Sequence, residues 1–386
     1  MVFVDVHLAN LDAIAVLLSD FVQDGGDHFA GTAPLGPVVD QNGAVGFEHV
    51  IVKRCLAHVD NVFAHEDCSG TDQRRRRQCT IAAAKPHRLC VGVSVSSPRV
   101  VVDLGSHTFH WVIARGQTVD AFERRGLRVA LAAGLSPAGD LAPEAYHRAE
   151  AALVDMEAAI ASIPRARRAV LGTATFRRLK DPAPLQALVA RYLGVPAQIL
   201  SGEEEAAFIW HGVQGWLPAE APARCVLDIG GASTELAAGN AGELGPVLSL
   251  PLGCVVVSEG AGTGADAFDR ADRRVAEALA AAPLAPFQGP DGSLVATGGS
   301  AISAQALGRV QGLPPSPIHA AYLDTLWRRL RGAGCPRVLL PGLPPGRERV
   351  LLGELALLRG LLRALGQTQV RLVPGALADG ALLRGF

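Results

Sequence analysis

The pattern of apolar and polar positions divides the chain near residue 98. Before that point, apolar residues after Leu18 keep neither a helical nor a strand period. Beyond it the pattern becomes regular. Arg99–Leu104 is a β-branched run, RVVVDL, separated from the apolar run 109–114 by the small-residue turn Gly105-Ser106-His107-Thr108. Two such runs across a Gly/Ser turn predict a hairpin. Residues 142–163 carry helical spacing and stop before Pro164. A short strand is expected over 168–171, ending at Gly172, then a helix over 182–193 closed by Gly194, then a strand over 197–200. Ser201 opens the next helix as its N-cap, with Glu203, Glu204 and Glu205 in the first turn. Residues 225–229, the turn Gly230-Gly231-Ala232 and residues 233–237 repeat the hairpin pattern. A strand over 293–296, the turn Thr297-Gly298-Gly299 and a helix from Ser300 follow. This alternation predicts an α/β fold.

Composition sharpens the division. Residues 1–97 hold four of the seven Cys and six of the eleven His, with no Trp and no Tyr, whereas Lys180 is the sole Lys after them. Cys55, Cys68, Cys79 and Cys90 form no CxxC pair, which disfavours a zinc module. The run Arg74–Arg77 admits a nucleic-acid or targeting tail, but such runs are commonly just solvated. An unstructured N-terminal extension, or a start assigned too far upstream, is the expectation for 1–97. Cys225, Cys254 and Cys335 lie far apart, so no disulfide framework is expected, and the compartment is read as reducing and cytoplasmic. The chain is 49% hydrophobic, ample for a sizeable core. Its most apolar stretch, 350–365, is broken by Glu354, Arg359 and Arg363, so no membrane span is expected. A net charge of −1 excludes a globally basic nucleic-acid binder.

The candidate chemistry sits in the turns. Val101-Val102-Asp103-Leu104-Gly105-Ser106 and Val226-Leu227-Asp228-Ile229-Gly230-Gly231 are one motif used twice: a strand, an Asp at its end, then a small-residue turn. Gly lets backbone approach a ligand closely, and successive turn N–H groups make an anion nest. Hydroxyls at Ser106, Thr108, Ser233 and Thr234 are candidate donors to phosphate oxygens. An Asp at the lip of each loop suits Mg²⁺, held largely through waters. Repetition of the loop with its Asp predicts two duplicated domains. The acids 203–205 complement a helix dipole, and one placed between two phosphate loops would orient or deprotonate water. Arg177 is a candidate phosphate clamp.

These motifs, with GTATFRRLKD, ILSGEEEAAFIWHGV, LDIGGASTEL, the Leu252–Cys254 LGC and ATGGSAISA, occur in the order and spacing of the exopolyphosphatase/guanosine pentaphosphate phosphohydrolase (Ppx/GppA) family, which the chain resembles over about residues 98–386. The resemblance implies two actin-like (ribonuclease H-like) domains of the ASKHA superfamily flanking a cleft: domain I over 98–209 and domain II over 210–386, the last helix packing back on domain I. It implies that Asp103 and Asp228 are the Mg²⁺-associated aspartates. Gly105, Ser106, Arg177, Gly230, Gly231, Ser233, Glu235, Gly298 and Gly299 match phosphate-binding positions. Glu205 matches the catalytic base, a choice over Glu203 and Glu204 that rests on the resemblance alone. The implied substrate is inorganic polyphosphate, or alternatively the 5′-γ-phosphate of pppGpp; a homodimer is expected. Three positions depart from the family: His107 stands where Asn is usual, Ala232 where a third Gly is usual, and Ala378-Asp379-Gly380 where Arg-Glu-Gly is usual. They motivate a further alternative, a weakly catalytic phosphate- or nucleotide-binding regulator.

Overall fold

The computed structural model describes residues 97–386, apart from 117, 219–223, 241–242, 265, 315 and 335–339. The expectations for residues 1–96 and for Cys335 lie outside the described residues.

The first sheet contains β1 (Arg99–Leu104), β2 (Thr108–Ala114), β3 (Phe122–Arg128), β4 (Arg168–Gly172) and β5 (Gln198–Ile199), ordered β3-β2-β1-β4-β5. The second contains β6 (Arg224–Ile229), β7 (Thr234–Asn240), β8 (Glu243–Leu250), β9 (Leu294–Thr297), β10 (Ile318–His319) and β11 (Gln369–Leu372), ordered β10-β11-β9-β6-β7-β8. In each, an antiparallel meander precedes parallel strands: β1 pairs antiparallel with β2 and parallel with β4, and β6 pairs likewise with β7 and β9. With the edge strand β10 set aside, the two orders coincide. The duplicated motif is therefore a duplicated topology.

The helices are α1 (Pro143–Ile160), α2 (Ala174–Arg178), α3 (Ala183–Leu193), α4 (Gly202–Gln214), α5 (Cys254–Ala261), α6 (Ala267–Ala280), α7 (Gly298–Val310), α8 (Ala320–Gly332), α9 (Leu351–Ala364) and α10 (Leu377–Leu383). Gly194 closes α3 at φ 76°, the left-handed stop that glycine permits. Ser201 caps α4 in a full capping box: its hydroxyl accepts from the Glu204 amide, while the Glu204 carboxylate accepts from the Ser201 amide at 2.7 Å. Two readings need correction, and one strand carried no sequence signal. The helix expected from Ser300 begins at Gly298, so the Gly-Gly pair forms its first turn. β3, FERRGLR, carries no alternating apolar pattern because it is a largely exposed strand at the sheet edge, where charge discourages further pairing. The boundary expected at 209/210 falls inside α4.

Strand alternation decides what faces the cleft. Successive side chains point to opposite faces. In β1, Val100, Val102 and Leu104 join the apolar cluster under α1 and α3, so Val101 and Asp103 share the other face. In β6, Cys225, Leu227 and Ile229 join the cluster of the second half, leaving Val226 and Asp228 on the opposite face. Val101 and Val226 meet in a third, shared cluster with Leu171, Ala237, Val295, the α4 residues Trp210 and Val213, and the α10 residues Leu377 and Ala381. α10 packs on α4 and on β1 and β2. The two aspartates thus end adjacent to one core built from both sheets. Among the described residues, no helix is long and apolar enough to cross a membrane.

Candidate active site

Between the halves lies a cleft of about 330 Å³. Its lining brings together Asp103, Gly105, Ser106, Glu205, Asp228, Gly230, Gly231, Ser233, Glu235, Gly298 and Gly299. Of the site residues expected from sequence, Arg177 and Thr234 stand outside this lining; Arg177 borders a second cavity of about 640 Å³ that shares Ser233 with the first.

Each loop is held by backbone. The Gly230 amide donates to the Ser233 carbonyl at 3.0 Å, and the first amides of α5 donate to the loop, Cys254 to Gly230 and Val255 to Gly231, both at 2.9 Å. In the first loop, the His107 carbonyl accepts from the amides of Val129 and Ala130 at 3.0 and 2.8 Å. The loops nearly touch: a Cβ on Gly231 would stand 3.1 Å from the Ser106 Cβ. The third loop is tighter. Gly298 has φ +79°, and a Cβ there would lie 2.1 Å from Asp228 Oδ1. Glycine is required by both conformation and space.

Hydroxyl roles separate. Ser106 Oγ accepts from Thr175 Oγ1 at 2.7 Å and keeps its own proton free to donate. Thr234, expected to face phosphate, spends its proton on the Leu252 carbonyl at 2.6 Å and is fully buried, so that role is withdrawn. Ser249 donates to Glu235 Oε1 at 2.8 Å.

Of the five carboxylates lining the cleft, Asp103, Glu205, Asp228 and Glu235 repel one another. Burial pushes Asp103 well above the usual carboxylate range, with repulsion from Glu205 and Asp228 adding to it. Asp228 is pushed up to about 7 by burial and by Glu205, against the pull of Arg347. Glu235 is raised by burial and then by Glu205, while hydrogen bonds from Ser233 and Ser249 oppose the shift. Glu205 is raised by burial, although Arg177 opposes the shift through an ion pair of 2.7 Å. Mutually repelling buried carboxylates are the electrostatic setting a cation relieves. Asp103 Oδ1 is also buried with no hydrogen-bond partner. Among the described residues, no group of three or more His, Cys, Asp or Glu converges as a metal site. Asp103 and Asp228 are the kind of donors that Mg²⁺ would take alongside waters and phosphate oxygens.

Sequence reasoning missed three arginines of the lining, Arg124, Arg125 and Arg347. Arg347 lines the cleft, and its Nη2 lies 1.3 Å from where a Cβ on Gly299 would stand, so the glycine makes its berth. It comes from a Gly/Pro/Arg-rich stretch in which no local pattern marks one arginine. Arg124, also in the lining, donates through Nε to Asp379 Oδ1 at 2.9 Å and lies over the Trp216 ring at 4.8 Å. It places a cation beside Ala378 and Asp379, where the family motif would carry an arginine. The other departures are also located. His107 lines the cleft and is 8% exposed, with Nδ1 buried and unpartnered. Ala232 borders the second cavity and not the cleft.

An α/β fold of two like sheets, with paired Asp-ended loops around an acidic cleft, suits a protein that handles phosphate. The match to the Ppx/GppA phosphatase family covers residues 112–385, and the chain belongs to that family. Solved structures agree on the fold. The Aquifex aeolicus PPX-GPPA enzyme is 19% identical, with a TM-score of 0.59 over 74% of this chain and 99% of its own. An exopolyphosphatase from Cytophaga hutchinsonii is 19% identical, with a TM-score of 0.60 over 74% of this chain and 96% of its own. An exopolyphosphatase-like protein is 19% identical at a TM-score of 0.61, over 74% of this chain and 98% of its own.

Proposed function

We propose that this phosphatase is an exopolyphosphatase, removing the terminal phosphate of inorganic polyphosphate as orthophosphate. The observation that carries the reading is the convergence of Asp103, Asp228 and the buried Glu205 on one cleft between two backbone anion nests. The loop amides and Ser106 bind the phosphate oxygens, and Arg347 and Arg124 supply cations along the lining. Asp103 and Asp228 would hold Mg²⁺, which would supply charge neutralisation for the phosphates. Glu205 accepts a proton from the attacking water, whose oxygen bonds to the terminal phosphorus as the bridging P–O bond breaks; the shortened chain leaves with the bridging oxygen. Burial, which raises the affinity of Glu205 for a proton, suits that role; Arg177 fixes the carboxylate through one oxygen.

The test is release of orthophosphate, with Mg²⁺, from polyphosphates of graded length and from pppGpp. Release from polyphosphate well above that from pppGpp supports the reading. The reverse assigns a pppGpp 5′-phosphohydrolase. Binding of both without release assigns a regulator.

A further inference from the structure

Resting on the phosphate-cleft reading above, we propose that Glu354 is a positioning residue for Arg347: it holds the guanidinium on the third loop and offsets its charge, setting how tightly the cleft grips an anionic chain. Arg347 begins a short turn, Arg347–Arg349, and Glu354 lies in the first turn of α9. Arg347 Nη1 meets Glu354 Oε1 at 2.6 Å, while Nη2 occupies the space that the missing Gly299 side chain leaves. One end of the guanidinium is anchored and the other is presented to the cleft.

Glu354 does not itself border the cleft and is 1% exposed, among the buried Leu351, Leu352, Leu355 and Leu358. An apolar helix face is a costly place for a carboxylate unless it is paired. Its second oxygen, Oε2, has no hydrogen-bond partner among the described residues. The neighbouring Ser300 and Ser303 hydroxyls donate to the carbonyls of Ile229 and Gly299, and both also stand close enough to Glu354 to favour its charged form. Arg347 is thus the charged partner that justifies the buried carboxylate, with the two serine hydroxyls beside it. Arg347 in turn acts on the cleft, since its charge lowers the proton affinity of both His107 and Asp228. A fully uncompensated guanidinium here would hold polyanions, product included, more firmly. Glu354, behind it, moderates that grip.

The experiment is a double-mutant cycle read by calorimetric binding of inorganic tripolyphosphate with Mg²⁺ and by steady-state kinetics on the full chain. Glu354→Gln keeps an acceptor for Nη1 and removes the charge. Its tripolyphosphate Kd should fall roughly fivefold, and KM should follow with kcat little changed. In an Arg347→Gln background the same substitution should leave Kd where it was. Glu354→Asp keeps the charge but withdraws it by one methylene, so the anchor is lost; kcat should fall while the melting temperature shows a folded protein. An unmoved Kd in Glu354→Gln, or an equal shift with and without Arg347, would overturn the proposal. If Glu354→Gln does not fold, Glu354→Asp decides alone, and native kcat and KM in that variant would overturn it. No tripolyphosphate binding by the unmutated protein would sink the phosphate-cleft reading itself, a failure distinct from an unmoved Kd.

Discussion

Arg177 binds the carbonyl of Leu200 and the carboxylate of Glu205 through the same Nη1, at 2.9 and 2.7 Å. The arginine thereby ties the end of the β5 segment to the first turn of α4 and fixes one oxygen of the buried acid. The three consecutive acids of α4 are separated by this geometry. Glu203 and Glu204 are exposed, Glu204 is spent on the capping box, and Glu205 alone is buried in the cleft.

Glu205→Gln should lower the rate of orthophosphate release by about 10²–10⁴-fold while binding of the chain survives. Glu203→Gln should be nearly silent. Glu204→Gln retains a side chain able to complete the capping box and should cost at most about 0.3–1 kcal/mol of stability. Steady-state kinetics on the three variants checks this; near-native turnover in Glu205→Gln would remove the acid from the mechanism.

Asp103→Ala or Asp228→Ala should sharply reduce turnover and flatten its response to added Mg²⁺. Chelation with EDTA should abolish activity in the native protein and be reversed by excess Mg²⁺. A Mg²⁺ titration of initial rates in native and variant proteins is the measurement, and EDTA-resistant activity would contradict it.

Gly298→Ala should be more damaging than an ordinary glycine substitution. Its positive φ costs an L-residue about 1–2 kcal/mol. The new Cβ must also displace the Asp228 carboxylate, and misplacement of such a group lowers turnover by roughly 10²-fold. Denaturant unfolding and kinetics together separate the two effects. Native-like turnover would show that Asp228 tolerates movement.

His107 sets an acid-side dependence of stability. Burial first, and then the charges of Arg347, Arg128 and His110, lower its pKa to about 4. Between that value and the unfolded value of about 6.5, the unfolded chain binds the extra proton. The His107 contribution is therefore fully present above the unfolded pKa and is lost as pH falls through this window. The change is on the order of 1–3 kcal/mol. Thermal melts of His107→Asn across pH 4–6.5 should lose this part of the slope, and an unaltered slope would reject it.

Asp379→Ala should destabilise the fold by about 1–3 kcal/mol. It strips Arg124 of its partner and the Ala376 amide of an acceptor at 3.2 Å. The arginine is partly exposed, so water recovers some of the loss. Urea unfolding reads the change. Activity should fall as well if Arg124 meets the substrate, and an unchanged KM would place its role in structure alone.

The loops and central strands were legible because their signal is local and repeated. A β-branched strand, an Asp and a glycine turn lie within a few residues, and β1 and β6 carry the same arrangement. The edge strand β3 was not legible, because a one-sided exposed strand needs no alternation. Arg347 and the Arg124–Asp379 pair were hidden for another reason. Each depends on contacts between segments far apart in the chain, and an arginine in a polar stretch looks like any surface arginine. The misreading of Thr234 has the same origin: hydroxyl proximity to a loop is local, but the Leu252 carbonyl that captures it arrives from beyond β8.

The third apolar cluster has a consequence for how this protein folds and comes apart. Val101 and Leu171 from one sheet, Val226 and Val295 from the other, and Trp210 between them bury one another. A fragment holding either sheet alone would leave that surface in water. Although the two halves repeat one topology, neither is expected to persist by itself, and unfolding should proceed as a single cooperative transition across both. The shared core also ties the two sheets together, since drawing them apart would expose the seam itself.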